Sequence, residues 1–98
     1  MHQFSREMGC TPADLVRWMP QALGELYPLT SLVIDGQSSL NPTEPLLEIN
    51  GLTMPSRKIA LLEIPILSLK LAFAESFTIA QCEAVLGRFD LYTRRGGG

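Results

Sequence analysis

A run of alternating apolar residues constrains the fold of this chain more than any other feature. In the segment 61–73, "LLEIPILSLKLAF", every second residue near the end is apolar: Leu67, Leu69, Leu71 and Phe73. Successive side chains of a strand point to opposite faces of a sheet. The alternation therefore predicts a strand with one buried face, because Ser68 and Lys70 fall on the other face.

The same strand changes its inward face near Pro65. Before this residue, Leu62, Ile64 and Ile66 share the opposite parity from Leu67 and the residues that follow. One extra residue in a strand pair switches the parity, so we predict a β-bulge near Pro65–Ile66. Proline cannot donate to a strand ladder, which also places this point at an edge or at a bulge.

Two earlier segments repeat the pattern of leucine, one residue, isoleucine. They are "SLVIDGQSS" (31–39) and "LLEINGLTM" (46–54), and each continues with a turn dipeptide, Asp35-Gly36 or Asn50-Gly51. A small solenoid built from a duplicated unit is one interpretation. Three copies of about nine residues are too few for a solenoid, so we predict an antiparallel meander of three or four strands.

Helical patterns flank these strands. Thr11 followed by Pro12 predicts the start of a helix that runs to about residue 25, with a kink or restart at Pro20. Thr78 and Gln81 form a capping-box pattern before the last amphipathic segment. The predicted fold is therefore a two-layer α+β domain of order α-β-β-β-α, with both helices packed on one face of the sheet.

This interpretation divides the chain of 98 residues into three parts. Residues 1–10 show no periodicity and are predicted to be a flexible N-terminal arm. Residues 11–95 form the single α+β domain, and residues 96–98 form a flexible glycine tail.

The bulk composition argues against several classes of partner. The net charge is −2, from 8 basic and 10 acidic residues, which predicts no nucleic-acid binding. The most apolar stretch, residues 59–74, is short and carries charges, so no membrane insertion is predicted. Two cysteines without a signal peptide favour reduced thiols and a cytoplasmic location.

The residues that carry chemistry are few. The only histidine is His2, and neither a zinc-type cysteine spacing nor a phosphate loop is present, so we predict no catalytic, metal or cofactor site and no enzymatic activity. Cys10 directly precedes a helix start and is either a reactive thiol or an inert small side chain. Trp18, beside the Pro20 interruption, is either a partner contact or a core residue.

The C-terminal segment "RRGGG" resembles the Gly-Gly tails of ubiquitin-like modifiers and sulfur-carrier proteins. The resemblance covers Gly97 and Gly98 and implies a tail whose terminal carboxylate is activated by an enzyme. Those folds open with a β-hairpin before a helix, whereas a helix is predicted first here.

Three functional hypotheses follow from the sequence. The first is a small non-enzymatic interaction or accessory protein, which binds a protein partner or a second copy through the uncovered face of its sheet. The alternatives are a carrier that uses its glycine tail and a small-molecule binding domain with a pocket between helices and sheet.

Overall fold

Two helices and a five-stranded sheet form the layers of the structure, a computed structural model that describes residues 2–97, with side chains up to Thr93. The elements in chain order are β1 His2–Met8, α1 Pro12–Leu23, a 3₁₀ helix Gly24–Leu29, β2 Thr30–Ile34, β3 Gln37–Leu40, β4 Leu47–Ile59, β5 Leu62–Phe73 and α2 Ile79–Gly97. The sheet order is β1-β5-β4-β2-β3. The α+β class is therefore confirmed.

The topology of the sheet differs from the predicted antiparallel meander of three or four strands. Strands β1 and β5, β4 and β5, and β2 and β3 are antiparallel, but β2 and β4 are parallel. The parallel pair arises because the loop after β3 returns the chain to the other side of β2 before β4 begins. Five strands in a mixed sheet replace the predicted meander.

The predicted flexible N-terminal arm is instead the edge strand β1. It pairs along its full length with β5, and the ring of Phe4 packs edge-on against Phe73 with centroids 5.8 Å apart. Arg6 binds Asp90 of α2 through two hydrogen bonds of 3.0 and 3.2 Å. The sequence conceals this strand because an arginine occupies an inward position between Phe4 and Met8.

The two predicted turn dipeptides have different structures. Asp35 and Gly36, with φ of 51° and 81°, form the turn between β2 and β3 as predicted. Asn50 and Gly51 instead lie inside β4. A Cβ atom at Gly51 would lie 3.0 Å from Cδ2 of Leu69 and 3.3 Å from Cγ1 of Ile34, so this glycine serves close packing rather than a turn.

The first helix begins as predicted and ends at a glycine. The Asp14 amide donates to the Thr11 side chain, and the Thr11 amide donates to the Asp14 carboxylate. Gly24, with φ of 59°, caps the helix C-terminus. The helix does not restart at Pro20, since α1 continues through this exposed residue to Leu23.

Helix α2 begins with the predicted capping box, in which Thr78 and Gln81 exchange hydrogen bonds of 2.8 and 3.1 Å. Both helices cover the same face of the sheet. The largest fully buried side chains include Leu15 and Met19 of α1, Phe89 of α2, and Leu32, Leu47, Ile49, Leu67, Leu69, Leu71 and Phe73 of the strands. The opposite side of the sheet is called the open face below.

Candidate interaction surface

The hairpin of β4 and β5 extends beyond the rest of the sheet. Pairing with β1 reaches only to Leu67 of β5, and pairing with β2 reaches only to Gly51 of β4. Within the described chain, no third strand pairs with residues 52–66, which we call the distal hairpin. The 13 residues of β4 span about 43 Å at ~3.3 Å per residue, and the long dimension of the molecule is 45 Å.

A bulge changes which residues of β4 face each side of the distal hairpin. The register of β4 against β5 shifts between Met54 and Arg57, so that Pro55 and Ser56 lie opposite Pro65. The bulge lies opposite Pro65, but its extra residue belongs to β4. The predicted switch of the inward face of β5 does not occur, because β5 alternates without interruption. This insertion changes the parity of β4 beyond Met54.

As a result, apolar side chains collect on one side of the distal hairpin. Residues paired directly across two strands point to the same side, and the pairing places Met54 with Ile66 and Ile59 with Leu62. The residues on this side, which is continuous with the open face, form the apolar stripe: Leu52, Met54, Ile59, Leu62, Ile64 and Ile66. The other side carries the charged pair Lys58 and Glu63.

Much of the apolar stripe faces solvent. The most exposed large apolar residues of the distal hairpin are Leu61 at 102%, Leu62 at 68%, Leu52 at 59%, Ile59 at 52% and Met54 at 46%. At roughly 190 Å² for a fully exposed residue of this size, the four stripe residues among them expose on the order of 430 Å² and Leu61 at the tip adds about 190 Å², compared with about 300–600 Å² for the largest apolar patch of a typical monomer. Leu61 lies in the two-residue turn at the tip, beside Ala60 with φ of 55°.

One ion pair crosses the open face beside the stripe. Nη2 of Arg57 on β4 lies 3.1 Å from Oε1 of Glu7 on β1. Because β5 lies between these strands, the arginine side chain must pass over β5 near Ile64 and Ile66. Its aliphatic part therefore belongs to the same surface as the stripe, while its charged group reaches solvent.

Asp35 binds β4 at the base of the distal hairpin. Its carboxylate accepts hydrogen bonds from the amide and the hydroxyl of Thr53, at 2.9 and 2.8 Å, just where pairing of β2 with β4 ends. These hydrogen bonds lower the pKa of Asp35 below its ordinary value of 3.8. The Asp35 side chain thus accepts a hydrogen bond from a backbone amide of β4 that lies beyond the end of the pairing with β2.

The rest of the open face is mostly polar. Glu48, Asn50 and Lys70 are exposed there, and Val33 and Ser68 are half-buried. The exposed Leu61 lies in the turn at the hairpin tip and is not part of the sheet proper. The stripe was not predicted from the sequence because the Asn50-Gly51 dipeptide was interpreted as a turn. The parity change at Pro65 was the sequence pattern that indicated the stripe.

The two cysteines are buried. Burial, together with the negative charge of Asp14, raises the pKa of Cys10 to about 11, and burial also raises the pKa of Cys82. A nucleophilic cysteine needs a lowered pKa and access to its substrate. The position of Cys10 therefore favours the inert side chain over the reactive thiol.

Trp18 is half-buried and packs against the core. The guanidinium of Arg17 lies 5.9 Å from its ring centroid. Trp18 belongs to α1, whereas the apolar stripe lies on the side of the sheet away from the helices. The structure therefore does not bring this candidate together with the stripe.

An open groove of about 590 Å³ lies between α1 and the β2–β3 hairpin. Its lining includes Val16 and Arg17 from the helix and Ile34, Asp35 and Gln37 from the hairpin. Its volume is in the range of small-molecule sites. The small-molecule hypothesis stays a prediction, and this groove lies between a helix and the sheet, where that hypothesis places its pocket.

Part of the predicted glycine tail continues helix α2. Gly97 is the last described residue of α2, and Gly98 lies outside the described residues. The carrier hypothesis stays a prediction. In the described part of the chain, no three potential ligands form a metal-binding group, and no helix is long and apolar enough to cross a membrane.

Comparison of the chain with protein-family models, with curated proteins and with solved structures found no significant similarity.

Proposed function

We propose that this chain is a small non-enzymatic interaction module that binds a protein through the apolar stripe of its distal hairpin and the adjoining open face. The observation that carries the proposal is the concentration of large, exposed apolar side chains on one side of a projecting hairpin. Single exposed apolar residues are normal on protein surfaces, whereas a contiguous patch of this size is typical of an interaction site.

The edges of the distal hairpin support contact through its face rather than through strand addition. Pro55 and Pro65 each lack an amide donor, and the bulge distorts the β4 edge between them. Lys58 adds a charge to the same segment. Such features oppose uncontrolled pairing between strands, yet none of them covers the apolar stripe.

The limited stability of a two-stranded hairpin supports the same proposal. An isolated two-stranded hairpin is marginally stable in water, and a third strand or a packed face is needed to stabilise it. Among the described residues no third strand pairs with the distal hairpin, and its residues 52–63 are all exposed. A partner seated on the apolar stripe would supply the packed face.

The test uses a photo-crosslinking amino acid introduced at Leu61, where full exposure makes the substitution compatible with folding. The matched control carries the same amino acid at Leu91 of α2, which is 63% exposed. We expect covalent adducts with protein from position 61 and none from position 91, after irradiation in cells. Equal labelling from both positions, or none from position 61, would contradict the proposal.

A further inference from the structure

We infer that the protein seated on the apolar stripe is a second copy of this chain, packed face to face and antiparallel about a two-fold axis at the level of the Pro55–Ser56 bulge. This inference rests on the proposed function and names the partner of that same surface. Three properties of the distal hairpin support it: its area, its charge and the order of its residues.

The area matches the needs of a dimer. Complete cover of the apolar stripe and of Leu61 at the tip, on the order of 600 Å² in each copy, would bury about 1,200 Å² in total, the lower end of the range for stable protein interfaces. Interdigitated sheets pack about 10 Å apart, which accommodates leucine, isoleucine and methionine side chains. The half-buried Ile64 and Ile66 would extend this contact.

The charges favour a neutral partner. The open face carries Glu7, Glu48, Arg57 and Lys70, two charges of each sign. A surface without net charge has no electrostatic preference for a nucleic acid, an anionic lipid surface or a strongly charged protein. A second copy presents the same neutral apolar stripe.

The order of residues favours the antiparallel arrangement. A two-fold axis at the bulge places Leu52, at the base of one hairpin, against Ile59 and Leu62 near the tip of the other. If the two hairpins were parallel, equal levels of the two open faces would meet, and the exposed charges of Glu48 and Lys70 in both copies would be removed from water, which is costly. In the antiparallel arrangement these charges lie beyond the partner's tip and remain in water.

The arrangement is isologous, so residue 52 of each copy contacts residue 62 of the other. This reciprocity permits a complementation test. Leu62→Glu and Leu52→Lys each place a charge within an apolar contact of the homodimer, twice per dimer. An equimolar mixture can form a heterodimer in which the new glutamate faces the new lysine and the second contact remains leucine on leucine.

The experiment is sedimentation velocity of the intact chain over a wide concentration range. We expect the wild type to dimerise, each single variant to be monomeric and the mixture to dimerise. Leu91→Glu, an equivalent change at a similarly exposed leucine on α2, should dimerise like the wild type. Circular dichroism establishes that all variants are folded.

A wild type that is monomeric at every concentration, or a Leu62→Glu variant that dimerises normally, would overturn the inference. A mixture that stays monomeric would overturn the antiparallel arrangement. If the wild type is monomeric while position 61 still crosslinks a different protein, the self-association fails and the proposed interaction function stands. Flotation of a monomeric wild type with anionic vesicles, lost in Leu62→Glu, would identify a lipid surface instead and overturn both proposals.

Discussion

Substitution of Gly51 by valine measures how tightly the sheet packs at the base of the distal hairpin. Valine is a favoured strand residue, and removing a glycine from a strand interior normally gains roughly 0.5–1 kcal/mol. Here a Cβ would lie 3.0 Å from Cδ2 of Leu69, whereas carbon atoms prefer separations of about 3.5–4.0 Å. Leu67 and Leu69, both fully buried, leave little room for the added methyl groups.

Overpacking of a close-packed core costs typically 1–3 kcal/mol, which exceeds the gain in strand preference, so we expect Gly51→Val to destabilise the domain by about 1–2 kcal/mol. For a domain of this size each kcal/mol lowers Tm by roughly 4–8 °C. Gly87→Ala is the matched control, because Gly87 lies on α2 with nothing within 4 Å of an added Cβ. This variant should gain about 1 kcal/mol from helix preference alone.

The assay is urea unfolding followed by circular dichroism, with a double-mutant cycle to identify the cause. Leu69→Ala removes the closest atom, so Gly51→Val should cost about 1 kcal/mol less in that background. If Gly51 were required for a turn conformation, the two substitutions would be additive. Additivity, or a Gly51→Val variant as stable as the wild type, would refute the packing argument.

Two further predictions concern ionisable groups. The pKa of Asp35 is lowered by its hydrogen bonds with Thr53, so the carboxylate stabilises the folded state above pH 3.8 and this contribution is lost as the pH falls through the lower folded-state pKa. We expect Asp35→Asn to lose less stability on acidification than the wild type in urea unfolding at several pH values, and an equal loss would contradict this role. The pKa of Cys10 is raised to about 11, so alkylation followed by peptide mass spectrometry should label Cys10 far more slowly at neutral pH than an unfolded control. Equal rates would contradict its burial.

Local patterns predicted the elements whose signals are short-range. The Thr11 cap, the Thr78–Gln81 capping box and the Asp35-Gly36 turn each depend on residues within four positions, and all are present. The alternation from Leu67 onwards correctly identified the buried face of β5. The strand β1 was missed because its stabilising contacts, with β5 and with Asp90, come from the far end of the chain.

The error at Asn50-Gly51 has a physical cause that the sequence cannot reveal. A glycine at a turn and a glycine beneath neighbouring side chains have the same local sequence, and only the approach of Leu69 and Ile34 distinguishes them. That error shortened the second strand and divided the long hairpin into smaller pieces. It therefore concealed the apolar stripe. The parity change at Pro65 was interpreted as a bulge in β5, whereas β5 alternates without interruption, Ile64 and Ile66 lie on the open face, and the extra residue belongs to β4.

The residues that form the core of this molecule differ from the residues that are proposed to bind a partner. The helices and the buried face of the sheet form one core, and the most exposed stripe residues, among them Leu52 and Leu62, are absent from it. The exposure of these residues favours association with another molecule. The prolines on the two edges of the distal hairpin oppose unspecific association by strand pairing. Substitutions of exposed stripe residues should therefore change association and leave the free energy of unfolding nearly constant. Substitutions at Gly51 should mainly change the free energy of unfolding. This contrast follows from burial alone, and so it holds whichever molecule covers the stripe.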